Sequence, residues 1–137
     1  MKTNTGSRGM SLLEVVMVSA LLAILLGFAI PGYQQYLLRS HRVAVIERLL
    51  DAARCQERIY TTAFHYDTTR CGGPVPSEHY RLRFEPADTV GSLGFTVYAD
   101  PLGAQQGDPC GSLGLDHSGR RTISGDAARQ RRCWEGR

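Results

Sequence analysis

An α+β fold is predicted: one long N-terminal helix, apolar in its first half, with its second half covered by a roughly four-stranded antiparallel sheet and a disulfide-clamped C-terminal segment. Three observations predict it. The run from Met10 to Ile30, MSLLEVVMVSALLAILLGFAI, is almost wholly apolar. Two later stretches alternate apolar and polar residues with the period of a half-buried strand. Four cysteines, Cys55, Cys71, Cys110 and Cys133, supply staples for a head too small to bury a large core.

The N-terminus comes first. Residues 1–9, MKTNTGSRG, are polar, and Lys2 and Arg8 are basic. The apolar run that follows is about 21 residues, roughly 31 Å of helix, which matches a bilayer core. Basic residues precede it, so the N-terminus is expected in the cytoplasm and the remainder in the periplasm or outside. Glu14 lies inside this run, and the run holds no Lys or Arg. A charge at the centre of a membrane helix costs on the order of 2.5–3.5 kcal/mol, less near the ends. Such a carboxylate needs a cation. A cut after Gly9 would create one, the amine of Met10, one helical turn from Glu14.

The segment R-G-M-S-L-L-E-V-V-M-V resembles the class III signal of type IV prepilins: a short basic leader ending in Gly, then an apolar helix with Glu at its fifth mature position. Gly9 and Glu14 match, Pro31 matches the family proline after the helix's first half, and Tyr33 and Tyr36 resemble the tyrosines just beyond it. Met10 stands where phenylalanine is usual, a position at which the family tolerates other residues. The resemblance implies cleavage by a prepilin peptidase between Gly9 and Met10, N-methylation of Met10, and roles for Glu14 and Pro31 in assembly. An ordinary secretory signal would have an uncharged apolar core and a small-x-small cut site; Glu14 and the length of the run argue against it. The expected organisation is a leader at 1–9, a membrane and filament-core helix at 10–32, and a periplasmic head at 33–137.

Pro31-Gly32 would break a purely local helix, and a kink is expected there rather than a stop. Helix is predicted to resume from Tyr33 to about Tyr60. Val45, Ile46, Leu49, Leu50, Ala52, Ala53, Ile59 and Tyr60 form its apolar face, and Glu47, Asp51, Arg54 and Arg58 lie opposite. Residues 61–79, rich in Thr, Gly and Pro, predict a loop. Tyr80–Phe84 and Phe95–Ala99 predict strands, and residues 100–109 a connecting loop. Ser112–Asp116 and Arg121–Ser124 predict a hairpin around His117-Ser118-Gly119.

Four cysteines allow three pairings. Cys55–Cys71 with Cys110–Cys133 is favoured, because the first would pin the loop to the helix end and the second would clamp the tail beside the last hairpin. Each closes a loop of about 17–24 residues, worth roughly 3 kcal/mol in the chain-entropy model. An even count behind a membrane segment points to an oxidising compartment. The tail, from Cys110-Gly111 through Gly119 and Gly125 to Cys133-Trp134, is similar to the end of PilE-like minor pilins. That resemblance supports the pilin fold.

No catalytic set is visible. His41, His65, His79 and His117 are scattered, and Asp116-His117-Ser118 are adjacent residues that cannot form a triad's spatial relay. No CxxC pair or EF-hand spacing occurs, so neither metal nor cofactor is expected. Without Lys2 and Arg8 the chain has 14 basic against 13 acidic residues. The Arg-rich tail from Arg120 to Arg137 could touch DNA, as in pilins used for DNA uptake. With little aromatic interleaving beyond Trp134, a nucleic-acid partner is not expected.

The resemblance therefore implies a non-enzymatic minor type IV pilin, which joins or primes a pilus serving adhesion or twitching motility. It would be a single-pass inner-membrane protein before assembly into the pilus. Its implied partners are the prepilin peptidase, other major and minor pilins, the inner-membrane assembly machinery and inner-membrane lipid. The alternatives are a type II secretion pseudopilin and a membrane-anchored DNA- or ligand-binding module.

Overall fold

The computed structural model describes residues 11–71, 78–87 and 93–136. Helix α1 spans Leu12–Ala63, 52 residues. It starts where the Ser11 carbonyl accepts the amide hydrogens of Glu14 (3.0 Å) and Val15 (3.2 Å). Glu14 lies in the first turn, where a carboxylate faces the positive end of the helix dipole. The helix continues through Pro31, although proline removes one backbone hydrogen bond there. It ends at Phe64, whose φ of 57° places it in the left-handed region, with its amide bonded to the Tyr60 carbonyl at 2.9 Å. That position usually belongs to glycine.

The chain divides into two compact units, residues 1–36 and 37–137. In the first, the described part is helix with its apolar side chains exposed; Leu12 is 82% and Phe28 81% exposed.

In the second unit, strands β1 (Tyr80–Pro86), β2 (Phe95–Pro101), β3 (Leu113–Asp116) and β4 (Arg121–Ile123) form one antiparallel sheet in the order β1-β2-β3-β4. The register pairs Leu82 with Ala99, Phe84 with Val97, and Val97 with Leu115. Alternation puts these side chains on one face, and that face buries Val45, Leu49 and Ala52 of α1 against Phe95, Val97, Ala99, Leu113 and Leu115. The opposite row runs Arg83, Tyr98, Gly114, Thr122. Gly114 leaves room for the Tyr98 ring and the Thr122 hydroxyl, which a Cβ there would meet.

The sheet and the apolar helix face agree with the sequence, with three differences. α1 runs on to Ala63, beyond Tyr60, and Tyr60 itself is exposed. Residues 100–109 contain a 3-10 turn, Gly103–Gly107. A short helix α2, Gln130–Trp134, follows a 3-10 turn at Ala127–Arg129, in which the Asp126 side chain accepts from the Ala128 amide. α2 is too short for periodicity to reveal it, and the disulfide at Cys133 holds it.

Candidate functional site

Of the residues singled out in the N-terminal segment, Gly9 and Met10 lie outside the described residues. Glu14 and Pro31 lie on α1. The helix is long and apolar enough to cross a membrane, and its most apolar window is unburied.

In the head, a polar cluster unforeseen in the sequence lies beside the core. The buried Arg42 donates from Nη1 to Asp108 Oδ1 (2.6 Å) and Oδ2 (2.9 Å), and contacts Cys110 Sγ at 2.7 Å. Gln105 Nε2 donates to the Leu38 carbonyl (3.0 Å), to Tyr80 Oη (2.9 Å) and to Asp108 Oδ2 (3.1 Å). Gln105 Oε1 lies 3.2 Å from His41 Nδ1, and the His41 and His79 rings stack with centroids 3.6 Å apart. Burial, reinforced by the Asp108 carboxylate, pushes the Tyr80 hydroxyl up to about 12. A buried ion pair on an otherwise apolar helix face has no periodic signature, so nothing in the sequence paired Arg42 with Asp108, although Asp108 and Asp100 could be weighed, and set aside, as calcium ligands.

Two disulfides close the head, Cys55–Cys71 and Cys110–Cys133, and the described residues include no free cysteine. The Cys110–Cys133 bond ties α2 to the segment entering β3. Gly125 sits where a Cβ would overlap the Pro109 carbonyl oxygen, so the chain can return close to Cys110 only with glycine there. The turn at Asp116–Gly119 is structural: the Asp116 carboxylate accepts from the Ser118 amide (2.9 Å), the Ser118 hydroxyl (2.6 Å) and the Arg120 amide (2.8 Å). Burial works against the charged form of Asp116, but these bonds outweigh it and leave the carboxyl below its usual range.

The C-terminal surface is built on Trp134. Its indole is buried and donates from Nε1 to the Thr122 carbonyl at 3.2 Å. The Arg121 guanidinium lies 5.2 Å from the Trp134 ring centroid, and Gln130 Nε2 holds the Arg121 carbonyl at 2.6 Å. Arg121, Gln130, Arg131, Trp134 and Glu135 line an open cavity of about 560 Å³. Arg121 also borders a second cavity of about 430 Å³, floored by Phe95 and Leu115. The arrangement presents guanidinium groups beside a buried indole.

A long N-terminal apolar helix, its later part under a four-stranded antiparallel sheet, with a C-terminal disulfide, defines a type IV pilin. The chain is similar to a solved type IV pilin from Shewanella oneidensis at 29% identity and a TM-score of 0.56, covering 65% of this chain and 94% of that one. No curated protein matches it. Residues 31–114, more than half of the chain, match the family described as type IV minor pilin ComP, DNA uptake sequence receptor. The chain belongs to that family and is a structural subunit of the type IV pilus class. The family's description names a DNA receptor, which removes the support for expecting no nucleic-acid partner. That expectation rested on the near-neutral total and on the sparse aromatic interleaving of the Arg-rich tail, and contacts to phosphates require neither a large net charge nor aromatic residues.

Proposed function

We propose that this minor pilin is incorporated into a pilus and there presents a head that captures DNA for uptake. The membership of residues 31–114 in a family described as a DNA uptake sequence receptor carries the reading. In this scheme the prepilin peptidase cuts between Gly9 and Met10, and Met10 is N-methylated. The apolar helix leaves the inner membrane to bundle with other pilins, and the new amine offsets Glu14, in its own subunit or a neighbour. The head faces the periplasm before assembly and the outside of the filament afterwards. Capture of DNA takes precedence over priming or twitching, because the family description names the former alone.

Deletion tests the reading. Cells lacking the subunit should take up DNA poorly, and their sheared pili should retain less duplex DNA than wild-type pili. Unchanged uptake and unchanged retention would refute it. Glu14→Ala should leave insertion and cleavage intact while lowering the amount of this subunit in sheared fibres; normal amounts would remove Glu14 from assembly.

A further inference from the structure

We infer that, while the subunit is held in the membrane before assembly, α2 and Arg39 dock on anionic phospholipid headgroups and so fix which side of the head faces the bilayer. The inference rests on the membrane-inserted stage of the reading above and is independent of what the assembled pilus captures.

Two contacts fasten the end of the chain to one short stretch of α1. Gly136 lies so close to that helix that a Cβ there would come within 2.7 Å of Val43 Cγ2. Cys133 of α2 is bonded to Cys110, whose sulfur lies 2.7 Å from Arg42 Nη1. This stretch follows directly on the apolar run. Tyr33 and Tyr36, both exposed, come just past Ile30, and tyrosine is the residue type that gathers at headgroup level. α1 is unbroken here, so Arg39 lies about 5 Å and Val43 about 10 Å beyond Tyr36 along it. Those distances are comparable to the Debye length of about 8 Å at physiological salt. Membrane helices tilt by about 20° on average, and a lean towards α2 closes the gap further.

The groups placed there carry charge that the protein does not neutralise. Arg39 is exposed and precedes Val43 by one helical turn, so the two share a face of α1. Arg131 and Arg132 are exposed on α2. Among the described residues no carboxylate pairs with these three, whereas Asp108 holds Arg42, Asp116 faces Arg120 and Asp126 faces Arg129. Lys2 is the only lysine in the sequence, so the strong cations beyond residue 9 are all guanidinium groups. These keep their charge at any physiological pH and fork onto phosphate oxygens.

Charge segregation then selects one orientation. The stretch from Arg120 to Arg137 has six arginines against Asp126 and Glu135. Residues 10–119 have eight arginines against eleven carboxylates. An anionic surface therefore attracts the end of the chain and repels the remainder of the head, which turns α2 towards the lipid.

The test places the mature full-length protein in lipid nanodiscs of phosphatidylcholine alone or with added phosphatidylglycerol. Modification of each arginine by phenylglyoxal is followed by mass spectrometry. An arginine near an anionic surface favours the docked state about fivefold. Arg39, Arg131 and Arg132 should react at least about fivefold more slowly in the anionic discs, and about 1 M salt should abolish the difference. Arg48, exposed on α1 beyond the stretch that holds α2, should react equally in both discs. R131Q/R132Q should weaken docking about 25-fold, so that Arg39 loses most of its protection, with thermal unfolding unchanged. Equal rates in the two discs would overturn the inference, as would an Arg39 still protected in R131Q/R132Q. Protection by added duplex DNA in neutral discs, with none from anionic lipid, would assign these arginines to nucleic acid and overturn it too. A protein recovered outside the discs would remove the membrane-inserted stage itself.

Discussion

Asp108→Asn isolates the energetics of the head's buried charge. The side chains of Arg42 and Asp108 are 6% and 0% exposed, and they meet at 2.6 Å. Asparagine keeps nearly the same volume and an oxygen for the Cys110 amide, which Asp108 Oδ1 accepts at 3.0 Å. It removes the counter-charge and leaves a guanidinium out of water. Breaking such a pair from one side costs about 3–5 kcal/mol. In a head of this size that is a large part of the total stability, of order 5–15 kcal/mol. At roughly 4 °C or more per kcal/mol, the unfolding midpoint should fall by at least about 12 °C. The assay is thermal unfolding of the mature protein in micelles, followed by near-ultraviolet circular dichroism. Removing the cation as well, in R42M/D108N, should recover most of the loss, because the buried guanidinium leaves with its carboxylate. A single variant within about 1 kcal/mol of wild type would refute the reasoning. A double variant as unstable as the single would show that geometry, not charge, sets the cost.

Three further outcomes follow from the same head. Tyr80 is 1% exposed and its hydroxyl is raised by burial to about 12 from 10.0, so its stabilising effect is complete below pH 10 and is lost as pH rises towards 12. Stability should drop by roughly 3 kcal/mol across that window in denaturant titrations, and Tyr80→Phe should flatten the slope. Replacing Cys110 and Cys133 together with Ser should lower stability by about 3 kcal/mol and speed proteolysis of the tail, as limited digestion would reveal. Gly125→Ala should destabilise the head by more than 1 kcal/mol in chemical denaturation, because the Cβ meets backbone rather than a movable side chain. An alanine variant of wild-type stability would mean that the chain can part from Pro109 at little cost.

Much of the architecture was legible in one dimension because its signals are local. Tyr80, Leu82 and Phe84 alternate with arginines, so β1 and its inward face follow from period two alone. Val45, Leu49 and Ala52 fall one helical turn apart, and they are the α1 side chains that enter the core. The features proposed to serve processing and assembly are local as well: an acid within an apolar run, a glycine before it and a proline after it are visible without coordinates. Two further things required the tertiary structure. Arg42 and Asp108 are 66 residues apart and pair only because α1 and the segment before Cys110 fold together. Arg121 acquires its place on Trp134 through the pairing of β4 and the clamp at Cys133. The arginines themselves could be counted from the sequence. Arg120 and Arg129 face carboxylates four and three residues back in the chain, which spacing alone allows, whereas the place of Arg121 over Trp134 is set by packing across elements.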